Sequence, residues 1–155
     1  MSISCFRKNQ VSAETALQTA KEWEGALRKK CSKPSQDTHY QMLKTAKSIS
    51  TQVIDSLESE KHGHIWIAYK DKLPCAILIG DDSKKGLVIR YLVANLLNED
   101  SKGSGSFLVQ EMIALAKRTN QLVLTRPENS EKYWKQKMGF TDYSGDVAQL
   151  AYIPK

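Results

Sequence analysis

Between Leu87 and Thr125 the chain passes from an apolar run to a glycine-bearing turn, an apolar helix and a second apolar run. This succession restricts the fold more than any other stretch. Leu87-Val88-Ile89-Arg90-Tyr91-Leu92-Val93-Ala94 is apolar at nearly every position. A half-buried strand would alternate, so this one is expected at the centre of a sheet, covered on both faces. After a polar loop comes Gly103-Ser104-Gly105-Ser106, opening a helix from about Ser104 to Arg118. Leu108, Met112, Leu115 and Ala116 lie on one side of that helix, with Val109 and Ile113 beside them. Gln121-Leu122-Val123-Leu124-Thr125 follows as a short buried strand. Strand, helix, strand is the pattern of a parallel pair, because two parallel strands need a crossover between them. The turn itself has a second property. Free N–H groups and roughly half a positive charge from the helix dipole face whatever lies in front of it. Glycine there removes the Cβ that would hold a phosphate away from the main chain.

The preceding half supplies the rest of a sheet and its cover. Ile3-Ser4-Cys5-Phe6 reads as a short first strand. Ser12 can cap a helix whose apolar face is Ala13, Ala16, Leu17, Ala20, Trp23 and Leu27, ended by Arg28-Lys29-Lys30 at the pole that favours cations. A break at Cys31–Gln36 precedes a second helix with the stripe Met42, Leu43, Ala46, Ile49, Val53 and Leu57. From His64 the period becomes extended. Ile65–Tyr69 and Cys75–Ile79 form a hairpin about Asp71-Lys72, with Trp66 and Tyr69 on opposite faces. Asp81–Gly86 is a further turn, leading into the central strand. Near the end, Asn129 or Ser130 can cap a short helix through Lys137, with Gly139 as its stop, and Phe140–Tyr143 and Val147–Ile153 close the chain as a hairpin across Ser144-Gly145-Asp146.

With 155 residues the chain is expected to form one domain, residues 1–155. A net charge of +6 fits an anionic partner: a nucleic acid, an anionic membrane or a phosphate-rich cofactor. The basic pairs Lys29-Lys30, Lys84-Lys85 and Lys117-Arg118 fall in separate elements, which speaks against a nucleic-acid face. Three distant cysteines without a CxxC spacing point to reduced thiols in a cytoplasmic setting rather than a disulfide or zinc framework. No stretch is long and apolar enough to span a bilayer, so no membrane partner is expected.

The Gly103-Ser104-Gly105 turn fails the dinucleotide fingerprint, because Leu108 stands where the third glycine belongs. It fails the P-loop as well, since no Gly-Lys-Ser/Thr follows. Set in the whole order of elements, it resembles something else. Asp100-Ser101-Lys102-Gly103-Ser104-Gly105 is similar to the Q/R-x-x-G-x-G/A turn of the GNAT superfamily of acyl-CoA-dependent N-acyltransferases, and Met138-Gly139-Phe140 is similar to its late Leu-Gly-Phe. The resemblance implies a mixed α/β fold with one central sheet flanked by helices. It also implies acetyl-CoA as co-substrate and an amine acceptor, small molecule or protein. The diphosphate would rest on the N–H groups of Lys102, Gly103, Ser104, Gly105 and Ser106, and the pantetheine arm on the strand edge Leu92-Val93-Ala94. Asp100 departs from the family pattern and must point away, or the loop must be arranged differently, because a carboxylate repels phosphate.

For the proton donor to a departing thiolate, the family's count back from the Gly-Phe ending lands on Lys135, whereas counting from the helix start brings Tyr133 into place. Tyr133 is the catalytic candidate, since a phenol can protonate a thiolate. No general base stands out: Glu128 lies just past the end of the parallel strand, close to where the acceptor would arrive, but reads more simply as a solvated loop carboxylate. His62-x-His64 has no third ligand and reads as a surface turn, so no metal is expected. No cysteine falls where an acyl-enzyme would need one. The alternative is a catalytically degenerate protein of the same fold, binding CoA or acting as an interaction module.

Overall fold

The computed structural model describes residues 6–32, 38–126, 132–143 and 150–154. Its elements run β1 (Arg7–Gln10), α1 (Ala13–Lys30), α2 (Thr38–Ser59), β2 (His64–Lys70), β3 (Leu73–Asp82), β4 (Gly86–Ala94), a 3-10 turn (Glu99–Ser101), α3 (Ser104–Thr119), β5 (Leu122–Thr125), a π-helical turn (Tyr133–Lys137), β6 (Thr141–Asp142) and β7 (Leu150–Tyr152). The strands make one sheet in the order β1-β2-β3-β4-β5-β7-β6. β4 pairs with β5 in parallel, and the other neighbouring strands are antiparallel. The apolar run is thus the middle strand of seven, with a helix layer on each side, as expected. Among the described residues no helix is long and apolar enough to cross a membrane.

Period two in the strands divides the core. On one face Trp66, Ala68, Ala76, Leu78, Leu87 and Ile89 meet Leu108, Val109, Met112, Ile113 and Ala116 of α3. On the other, Ile65, Ile67, Ile77, Ile79 and Val93 meet Ala16, Ala20 and Trp23 of α1 and Val53 and Leu57 of α2. Trp66 goes to the first cluster and Tyr69 to the second. Two members of the helical stripes stay outside: Ala13 is exposed at the first position of α1, and Met42 is exposed on α2.

Ser12 caps α1 as its position implies, its Oγ accepting from the Thr15 amide at 3.1 Å. Ser12→Ala is expected to lower stability by about 1 kcal/mol, read from urea unfolding, because a first-turn N–H loses its acceptor. An unchanged midpoint would show that the cap contributes nothing.

Two elements differ from expectation. A strand that the sequence pattern did not announce forms at Arg7–Gln10, and of the expected first strand residues 3–5 lie outside the described residues while Phe6 is not part of a strand. The partners of Arg7–Gln10, Tyr69 to Trp66, are offered by the β2 edge, and that pairing decides the register. β3 extends through Asp81–Asp82 instead of ending at Ile79, since both residues continue the ladder opposite Val88 and Leu87. The β2–β3 turn does fall at Asp71-Lys72, both with positive φ (50° and 72°), the twist that suits a two-residue hairpin. At the end, β6 and β7 pair antiparallel, with β7 inserted between β5 and β6. The expected caps Asn129 and Ser130, the turn 144–146 and Glu128 lie outside the described residues.

Candidate active site

β4 and β5 pair only from Gly86 opposite Leu122 to Ile89 opposite Thr125. β4 then runs on to Ala94 with no strand beside it on that edge among the described residues. Where the pairing stops, β4 carries an extra residue. Ile79 lies opposite Tyr91 and Gly80 opposite Ile89, so Arg90 is bulged out of the β3 ladder. A bulge bends its strand and increases the local twist. Here the two parallel strands part.

Along this unpaired part of β4, on the α3 face, lies a groove of about 780 Å³. Leu92 and Ala94 of β4, Ser101 and Lys102 of the loop, Gly103, Gly105 and Ser106 at the head of α3, and Tyr133 and Lys137 of the π-helical turn line it. Most of the residues expected to bind a cofactor therefore share one surface. Val93 does not; its side chain is buried against α1 and α2, so only its backbone can face the gap. Ser104 is also buried, donating to the Ser101 carbonyl at 2.6 Å or the Cys75 carbonyl at 3.2 Å, which ties the turn to β3.

No side chain caps α3, in contrast to Ser12 on α1. Gly103 stands at the cap position with φ 87°, a conformation that disfavours a Cβ. The first-turn amides are left facing the groove. Lys102 departs from expectation, because its amide donates to the Glu99 carbonyl at 3.2 Å and closes the 3-10 turn. Asp100 points away and pairs with Lys70 at 3.6 Å, with its side chain largely in solvent. Ser101, which motif reasoning passed over, is 3% exposed, and its hydroxyl is the one buried side-chain polar atom without a partner among the described residues. Such an orphan is costly unless a ligand or water satisfies it.

Tyr133 rather than Lys135 faces the groove. Its hydroxyl is 2.8 Å from Ser106 Oγ. Burial raises the phenol's pKa above the ordinary value, and the Ser106 bond offsets part of that rise. Lys135 instead pairs with Asp142 of β6 at 3.0 Å. Gly139 has φ 79° after the π-helical turn, and Phe140, 2% exposed, packs edge-on against Trp134 at 5.1 Å between ring centres. The Gly-Phe ending thus anchors the turn that carries Tyr133.

The histidine pair corrects the surface-turn expectation. His62 is buried, holding Asp81 of β3 at 3.1 Å through Nδ1 and Ser56 of α2 at 2.8 Å through Nε2. His64 meets Asp82 at 3.0 Å. Ser56 is itself buried and donates to Glu60, so the series clamps the end of α2 to β3. Asp81 feels burial, which raises its pKa, but hydrogen bonds from His62 and Arg90 outweigh it and hold the carboxyl below its ordinary value.

No protein-family model matches the sequence, and no curated protein matches it either. Solved structures do. The PaiA N-acetyltransferase of Thermoplasma acidophilum, solved with coenzyme A, is 12% identical with TM-score 0.55 and 97% of each chain covered. A GNAT family acetyltransferase of Brucella melitensis, solved with acetyl-CoA, is 12% identical with TM-score 0.58 over 96% of this chain and 87% of its own. An acetyltransferase of Thermus thermophilus is 12% identical with TM-score 0.59 over 99% of both. With its parted parallel strands, its uncapped central helix and these likenesses over nearly its whole length, the chain has the fold of the GNAT superfamily.

Proposed function

We propose that the chain is an N-acetyltransferase, transferring acetyl from acetyl-CoA to an amine by direct attack in a ternary complex. The observation that carries this is the uncapped head of α3 opening on a groove that runs along the unpaired edge of β4. The residues present fit acetyl-CoA. Gly103 to Ser106 offer main-chain donors to a diphosphate, Lys102 and Lys137 bring positive charge to the same groove against the single carboxylate of Glu99 among its described lining residues, and the orphaned Ser101 hydroxyl supplies an unused polar contact. The free edge of β4 from Leu92 to Ala94 suits the amides of a pantetheine arm, which would lie along it as a further strand does. When bound, acetyl-CoA supplies the acetyl group as a thioester.

The chain's own part is orientation and a proton. The splayed strands hold the acceptor and the cofactor on opposite sides of one opening, which removes much of the entropic cost of bringing them together. Tyr133 keeps its proton through neutral pH, because burial disfavours the phenolate, and Ser106 fixes the direction of the hydroxyl. The proton is thereby available for a departing thiolate.

Isothermal titration with acetyl-CoA tests the cofactor claim: micromolar or tighter binding is expected, and no heat with no thermal shift overturns it. Thiol release with an amine then separates an enzyme from a CoA-binding module of the same fold. Ser101→Ala gives a sharper test, because its two effects have opposite signs. The free protein gains up to about 1 kcal/mol of stability as the orphan disappears. Acetyl-CoA affinity falls by roughly tenfold as a ligand contact is lost. Equal affinity in both proteins would remove Ser101 from the site.

A further inference from the structure

On the α2 face of the sheet the same gap opens into a second cleft of about 560 Å³. Lys84, Lys85, Arg90 and Arg126 line it beside Gln52 and Thr125, and no carboxylate is among its described lining residues. The four cations come from the β3–β4 turn, the β4 bulge and the end of β5. Compensation of Arg90, Lys85 and Lys84 is thin. Asp81 takes Arg90 Nε at 3.0 Å but is shared with His62. Lys85 lies over the Tyr143 ring at 5.7 Å, a contact that leaves its charge in place. Lys84 forms no ion pair with a described residue.

A concave surface lined by one sign of charge concentrates its field and selects what enters. Polycations are repelled. An amine entering such a field loses its proton more readily, since like charge disfavours the ammonium, and only the free base can attack a thioester. A carboxylate or phosphate on the same molecule gains charge-assisted hydrogen bonds from lysine and arginine. The volume is in the range of small-molecule sites.

Resting on the acetyltransferase reading, we propose that the acceptor is a small primary amine that also carries an anionic group, a carboxylate or a phosphate, held by Lys84, Lys85, Arg90 and Arg126. Matched amines isolate that group: O-phosphoethanolamine against ethanolamine for phosphate, and β-alanine against propylamine for carboxylate, with spermidine as the cationic arm. Binding is measured by calorimetry on protein saturated with CoA, and turnover by thiol release with acetyl-CoA. The anionic member of at least one pair is expected to be favoured by roughly tenfold in Kd or kcat/KM, which also tells the two anions apart. The triple variant Lys84→Gln, Lys85→Gln, Arg126→Gln should bring that ratio close to one with acetyl-CoA affinity unchanged. The control pair Lys29→Gln, Lys30→Gln, at the far end of α1, should keep the wild-type ratio.

Equal treatment of both pairs, absence of binding by either anionic amine, or preference for spermidine overturns the inference while the cofactor claim stands. Failure of acetyl-CoA to bind removes the reading beneath it instead.

Discussion

On the proposed reading, Tyr133→Phe is expected to lower kcat for acetyl transfer by roughly a hundredfold or more, the usual range for loss of a general acid, while acetyl-CoA affinity stays nearly constant. The ring remains, so its packing against Trp134 at 5.2 Å and the shape of the groove are kept. What is lost is one hydroxyl 2.8 Å from Ser106. Thiol-release kinetics with calorimetry on the same variant check both halves. A drop in kcat smaller than about threefold would take the proton from some other group and reject Tyr133.

The pH dependence follows from the raised pKa. In the folded protein the phenol holds its proton more tightly than in the unfolded chain. The associated stability is fully present below about pH 10 and is lost as pH rises through the folded-state value. Wild-type kcat should therefore show no decline from phenol ionisation between pH 7 and about 10, and Tyr133→Phe should lose the alkaline component of denaturation that the phenol contributes.

Gly86→Ala will destabilise the protein by roughly 3 kcal/mol or prevent its folding. Gly86 has φ 149°, and a Cβ there would fall on the Leu122 carbonyl, backbone that cannot swing aside as a side chain could. The contact is at the first rung of the parallel pair. Relief requires pushing β5 from β4 at the root of the opening, so any surviving fold should bind acetyl-CoA poorly. Urea unfolding of Gly86→Ala beside Gly25→Ala, where a Cβ would meet nothing within 4 Å, isolates the effect. Similar midpoints for the two would show that β5 yields freely.

What the sequence disclosed, it disclosed through local patterns. The unbroken apolar run of β4, the period of α3 and the Gly103-Ser104-Gly105 turn each lie within a few residues, and each emerged where expected. The site's finer content depends on distant partners. Ser106 meets Tyr133 across 27 positions, and the Ser101 hydroxyl is an orphan only because the loop folds inward. His62 looked like part of an exposed turn because nothing nearby announces Asp81 or Ser56 as its partners. The cationic cleft was hidden for the same reason: its lysines and arginines look scattered until β4 and β5 lie side by side. Lys135 against Tyr133 was a matter of phase, and one wide helical turn decided it.

The extra residue at Arg90 also changes the parity of β4. Leu87 and Ile89 are odd-numbered and look toward α3; beyond the insertion it is the even-numbered Leu92 and Ala94 that do so. An uninterrupted strand would have turned Tyr91 and Val93 into the groove and sent Leu92 to the opposite layer. One supernumerary residue therefore lets a single strand serve as core over its first half and as a slender wall over its second, with the bulky ring of Tyr91 kept out of the way.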